Sequence, residues 1–160
     1  MPILRSPDRR ESFPARALLL AGLIALGAAV PSHAQFLYLD ANGDGINTSA
    51  DTIAPSGPTS LDIWFWTDTN ANNLPATCPS GDGPLSIAGY EFIVRASNGT
   101  VSWDSYANQV AAFTTPLGAA SSTTEFRTGF SGPSSAAGIY RLGTLTVTPT
   151  SGTPSLSFES

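Results

Sequence analysis

The chain has 160 residues, with 12 Asp and Glu against 7 arginines, no lysine, one histidine (His33) and one cysteine (Cys78). So few cations exclude a nucleic-acid binder, which must neutralise phosphates with a clustered basic surface. A single cysteine excludes a disulfide within the chain, so packing alone has to hold the fold.

Residues 1–34 read as a secretory signal peptide. Arg5, Arg9, Arg10 and Arg16 make a basic start, residues 17–30 are apolar, Pro31 breaks the run, and Ser32-His33-Ala34 offers a small-x-small cleavage site. The apolar run is short for a bilayer span, and nothing after it is apolar enough to cross. The expectation is a mature chain from Gln35, secreted or held at the cell surface, with no membrane insertion after cleavage.

Cleavage sharpens the composition. What stays is 160 − 34 = 126 residues, with Arg95, Arg127 and Arg141 against ten acids, a net charge of 3 − 10 = −7. That length suffices for one domain with its own core. Histidine and lysine are then both absent, which removes Ser-His-Asp and Cys-His arrangements and lysine nucleophiles. Paired carboxylates remain as a catalytic device. Glu91, Asp104 and Glu125 have no spacing that marks them as a pair, so a non-catalytic protein is expected.

The first motif of the mature chain runs from Asp40 to Asp51. A hard cation such as Ca2+ needs several oxygens converging from a short, sharply turned segment. Asp40, Asn42 and Asp44 place side-chain oxygens at loop positions 1, 3 and 5. Gly45 stands at position 6, where the turn is sharpest. Ile46 would give its carbonyl at position 7, Thr48 takes position 9 and Asp51 position 12. These six residues are the expected calcium ligands. Asp in place of Glu at position 12 is shorter, which weakens bidentate ligation. One helical turn is expected near Thr48 to Thr52, before Ala54-Pro55-Ser56-Gly57-Pro58 stops it.

The rest reads as strands. Leu61-Asp-Ile-Trp-Phe-Trp66 is β-branched and aromatic. Asp68-Thr-Asn70-Ala-Asn72 repeats the oxygen spacing that starts a calcium loop, without the glycine or the closing acid, and is more simply a hairpin loop. Cys78 reads as an inert thiol. In the strand at residues 87–96, Tyr90, Phe92 and Val94 share one face, and Glu91, Ile93 and Arg95 the other. Asn98-Gly99 marks a turn and residues 100–103 a further strand. A short helical piece is expected at 108–112. Residues 124–130 alternate, as do residues 140–148, and residues 155–158 make a last strand. Several short strands with Gly, Pro, Ser and Asn between them indicate an all-β sandwich or barrel. Trp64 and Trp66 fall on one strand face and are expected in the core. Trp103 and Tyr106 are the aromatic residues expected at a ligand face. Asn47-Thr-Ser49 and Asn98-Gly-Thr100 match the N-glycosylation pattern.

Asp40-x-Asn42-x-Asp44-Gly45, closed by Asp51, resembles a single dockerin-type calcium repeat, without the second repeat and without the helix. Ser60-Leu-Asp-Ile-Trp-Phe-Trp66, Gly89-Tyr-Glu-Phe-Ile-Val94 and Tyr140-Arg-Leu-Gly-Thr-Leu-Thr-Val147 resemble strands of a cohesin-like domain, a relative of carbohydrate-binding modules. The resemblance implies an immunoglobulin-like or jelly-roll β-sandwich over 59–160, preceded by a calcium-loop segment at 35–58. It also implies a partner outside the cell: a protein in an adhesive assembly, or a polysaccharide if the chain serves a secreted polysaccharide-degrading system.

Overall fold

The computed structural model describes residues 35–49, 51–70, 74–76 and 85–159. The expected signal peptide, Cys78 and the Asn72 end of the second polar cluster lie outside the described residues. The described chain is all β, with no helix: β1 (Phe36–Asp40), β2 (Thr59–Trp66), β3 (Ile87–Asn108), β4 (Thr115–Ser121), β5 (Glu125–Ser135) and β6 (Ile139–Phe158). They form one antiparallel sheet in the order β1-β2-β6-β3-β5-β4. The two expected helical pieces are single turns, closed by Asp51 N–H on the Thr48 carbonyl and by Phe113 N–H on the Val110 carbonyl.

A lone sheet must find cover for its apolar face. Here the cover is the sheet itself. Phe92 and Tyr106 sit in the same strand, 14 residues apart, and a straight strand would separate them by roughly 46 Å. Their ring centroids are 5.7 Å apart. Strand β3 is therefore doubled over, and its partner β6 bends with it. The corner lies at Asn98-Gly99, which faces Gly152 across the ladder. Asn98 (φ 60°) and Gly152 (φ 67°) are both left-handed, a region open to Asn and Gly at little cost. A Cβ on Gly152 would stand 2.6 Å from the Asn98 carbonyl oxygen. The segment joining β4 to β5 fills the inside of the bend. Thr124 and Thr123 offer carbonyls to the N–H groups of Ala96 and Val101, one on each side of it.

Doubling brings one core together. Leu61, Ile63 and Phe65 of β2 and Leu142, Leu145 and Val147 of β6 meet Tyr90, Phe92 and Val94 of β3 and Phe126 of β5. Ladder irregularities set which residues point in. Leu142 is the extra residue where β6 slips against β2 at Ile63/Trp64, so it is buried together with Leu145 and Val147 although an even alternation would turn it outward. Asp104 is the extra residue between Trp103 and Ser105, so Tyr106 points inward alongside Trp103. A polar knot ties the two halves of β3 to β6. The Tyr90 and Tyr106 hydroxyls lie 2.8 Å apart; Tyr90 donates to Asn108 Oδ1 at 2.8 Å, and Tyr106 shares its proton between the Tyr90 oxygen and the Leu142 carbonyl at 3.1 Å. Asn108 passes the link on to the Phe113 carbonyl.

Two predictions follow from this packing. Gly152→Ala combines a left-handed φ with a backbone clash and is expected to cost about 1–3 kcal/mol in urea denaturation; a change below about 0.5 kcal/mol would show that the corner tolerates a side chain. Burial pushes the Tyr90 hydroxyl up to about 12. Burial, with Tyr90 beside it, drives Tyr106 well above the ordinary tyrosine range. The fold favours the protonated phenols, so their contribution is complete below the unfolded value near 10 and fades as pH rises through 12. Stability measured from pH 8 to 12 is expected to fall at the alkaline end, and to fall less steeply in Tyr106→Phe.

Candidate metal centre

Strand β1 enters the loop at Asp40, which is 1% exposed. Asp40 stands opposite Asp62 across the β1–β2 ladder, and two like charges there need separate partners. Asp62 pairs with Arg141. Asp40 instead accepts the N–H of Gly43 at 2.7 Å, the N–H of Gly45 at 2.8 Å and the Trp64 indole N–H at 3.3 Å. Gly45 is left-handed, with φ 74°, which fits the glycine expected at the sharpest part of the loop.

The loop closes on itself. Asp51 Oδ1 accepts the Ala41 N–H at 3.0 Å, and Asp51 Oδ2 accepts the Thr48 N–H at 2.7 Å. The twelfth position is thereby pinned to the second. Asn42 Oδ1 accepts from Asp44 N–H, Asp44 Oδ1 accepts from Ile46 N–H, and the Asn42 amide donates to Asp44 Oδ2 at 2.9 Å. The loop lies over the outer aromatic face of β1 and β2. There Tyr38 stacks on Trp64 at 6.4 Å and meets Trp66 edge-on at 6.2 Å. Tyr38 donates its hydroxyl to the Gly45 carbonyl at 2.5 Å. Burial raises the pKa of that phenol; the Trp66 indole opposes the rise, and Asp40, Asp44 and Asp51 each add to it. Three loop carboxylates thus act on one hydroxyl.

Measured against a calcium site, the loop fits in its closure and its glycine turns. An ionised carboxylate has about four acceptor positions; Asp44 uses two of them, which leaves the others for a cation. The carbonyl engaged from within the loop is that of Gly45, and Ile46 is 61% exposed. Among the described residues, no group of three or more His, Cys, Asp or Glu stands ready around a single point.

The other candidates fall elsewhere. Trp64 and Trp66 share a face as expected. It is the outer face, because the alternation of the strand turns Leu61, Ile63 and Phe65 into the core. Trp103 and Tyr106 lie on the inner side. Trp103 packs on Phe126 at 5.7 Å and donates its indole N–H to the Ser122 carbonyl at 2.6 Å. Tyr106 is packed between Phe92, Phe126 and Phe130. Asn70 is 2% exposed and closes a small hairpin, its backbone N–H on the Leu74 carbonyl and its side-chain oxygen on the Leu74 N–H. Glu91 is paired with Arg127, and Glu125 with Arg95. Asp104 accepts hydroxyls from Ser102 at 2.6 Å and Thr148 at 2.7 Å. Among the described residues no helix is long and apolar enough to cross a membrane. Compared with protein-family models, with curated proteins and with solved structures, the chain gives no match.

Burial acts to raise the Asp51 pKa, but the N–H groups of Thr48, Ala41 and Asn42 outweigh it and hold the carboxyl below the ordinary aspartate range. A depressed carboxyl contributes stability above its unfolded value of about 3.9, and that contribution is lost as pH falls toward the folded value. Unfolding curves at pH 7 and pH 3 are expected to show this loss. Asp51→Asn is expected to be less stable at pH 7 and to lose less between the two.

Proposed function

We propose that the chain is an exported, non-catalytic, calcium-binding all-β module that takes part in protein–protein adhesion or assembly outside the cell. The closed loop carries this reading: Asp51 is sealed onto the Ala41 and Thr48 N–H groups, and Asp40 onto those of Gly43 and Gly45. Asp40, Asn42, Asp44, Thr48 and Asp51 would hold the ion, with a carbonyl from the Gly45–Ile46 turn. The ion supplies positive charge to an acidic hinge between β1 and β2. Within the same proposal the folded sheet is a cohesin-like sandwich of the immunoglobulin or jelly-roll kind, because its two halves enclose a single core.

A second reading is a carbohydrate-binding module of a secreted polysaccharide-degrading system. What favours it is the outward patch of β2, β6 and β3 around Thr146, where Ser60, Thr144, Thr148 and Ser105 present hydroxyls. In both readings the chain acts by binding.

Calcium that binds only the folded loop stabilises it by mass action. At 100 times the dissociation constant this amounts to about 2.7 kcal/mol, or roughly 10 °C in melting temperature for a domain of this size. Extracellular sites of this kind reach dissociation constants as weak as about 1 mM, so melts in chelator and in tens of millimolar calcium are the comparison. Asp44→Ala is the informative variant, because the Asp44 carboxylate accepts hydrogen bonds from Asn42 and Ile46 within the loop. A calcium-dependent rise in the parent chain that Asp44→Ala loses is expected. An identical melt with and without calcium would sink the calcium reading.

A further inference from the structure

The outer face of the β2–β6–β3 strip carries a regular array of hydroxyls. Thr144, Thr146 and Thr148 point outward from β6 at every second residue, because Leu145 and Val147 between them fill the core. Across the ladders, Ser60 of β2 lies opposite Thr146, and Thr146 opposite Ser105 of β3. These three hydroxyls form a row over adjacent strands, about 4.8 Å from one to the next. Ser60 and Ser105 are exposed. No protein group engages any of the three side chains among the described residues.

A carboxylate node flanks the row on each side. On one side Asp62 accepts from Arg141 and from Thr144 at 2.8 Å, and Gln109 donates to Thr144 at 2.9 Å. On the other side the bulged Asp104 accepts from Ser102 and Thr148. Each node lies about 6.8 Å along the strands from the row. The only cation of the face, Arg141, is already paired with Asp62.

We propose that this face binds a neutral, linear polysaccharide laid across the Ser60–Thr146–Ser105 row. The inference rests on the second functional reading and moves its site from the inward Trp103 and Tyr106 to the opposite side of the same strands. Charge decides the ligand class. Two carboxylates with no free cation repel a polyanion, and the chain beyond residue 34 is itself acidic. A protein partner needs an apolar interface core, and between the two nodes the largest apolar side chain on this face is Ala107. A polyhydroxyl chain without charge suits what remains. Its hydroxyls donate to the outer lone pairs of Asp62 and Asp104 and both donate to and accept from the serine and threonine hydroxyls. The sheet holds these groups at fixed spacings before the ligand arrives, which keeps the ordering cost of binding low.

The test is depletion of the secreted chain onto cellulose, chitin and neutral arabinoxylan, with alginate as the polyanion. It compares the parent with Ser60→Ala/Ser105→Ala/Thr146→Val, which removes the three hydroxyls at nearly constant volume. Leu117→Ala on β4 and Asp44→Ala in the loop are the controls, and melting curves verify that every variant folds. Expected is retention on at least one neutral polysaccharide, about tenfold or more weaker in the triple variant and unchanged in both controls. Ser105→Arg, a single exposed change that blocks the row, is expected to have the same effect if the triple variant melts early. Retention that survives both row variants overturns this face while leaving a glycan-binding module in place. Retention on nothing, or on alginate alone, overturns the face together with the second reading, and leaves the calcium melt untouched. Concentration-dependent dimerisation that the triple variant abolishes also overturns the proposal, because the face would then belong to a second copy.

Discussion

Everything in this molecule depends on a sheet having to cover its own apolar face. No described helix is available for that task, and the chain has no disulfide to substitute for packing. The β3–β6 ribbon solves the problem by folding at Asn98-Gly99 and Gly152, which lays Trp103 and Tyr106 over Phe92 and Phe126. The bend removes backbone groups from their regular ladder, and the Thr123 and Thr124 carbonyls take up two of them. It also creates a buried seam where two tyrosine hydroxyls must find partners, and Asn108 and the Leu142 carbonyl supply them. An unpartnered hydroxyl in that seam would cost about 1–3 kcal/mol, so the knot and the corner stand or fall together.

The same fold sorts chemistry by side. Inside the strip formed by β2, β6 and the second half of β3 are aliphatic and aromatic side chains; outside it are hydroxyls and compensated charges. At the β1 end the outer surface changes character, since Tyr38, Trp64 and Trp66 gather there. The Asp40–Asp51 loop covers them. Its first carboxylate serves both as the end of a strand and as the anchor of the loop, through Gly43, Gly45 and the Trp64 indole. Any ion held there would act on the edge of the sheet directly, with no linker between.

Strand chemistry was largely legible in the sequence, and its interruptions were not. The alternation of Tyr90, Phe92 and Val94 against Glu91 and Arg95 is visible in the letters because one side of that stretch is buried. Asn98-Gly99 reads as the end of a strand, since that pair usually makes a hairpin; here the ladder with β6 holds the chain extended on both sides of it. Strand β6 reads as two pieces because Pro149 and Pro154 argue against a continuous strand, yet Pro149 sits beside a ladder irregularity and Pro154 at the corner. Strands β1 and β4 leave weak signals: β1 is five residues merged with a loop, and β4 carries Pro116, Gly118 and only small or exposed side chains. The inward turn of Tyr106 depends on one extra residue at Asp104, and no period-two reading reveals a bulge. The closed form of the Asp40–Asp51 loop was legible from its spacing. Its seat on Tyr38 and Trp64 was not, because that contact joins residues far apart in the chain.

Strand β6 pairs along its far end with the middle of β3, Phe158 opposite Val94. That pair joins residues 158 − 94 = 64 positions apart, and the corner pair Gly99 and Gly152 joins residues 152 − 99 = 53 apart. Until β6 has been made, β3 lacks this partner along most of its length. Long-range pairing of this kind folds slowly.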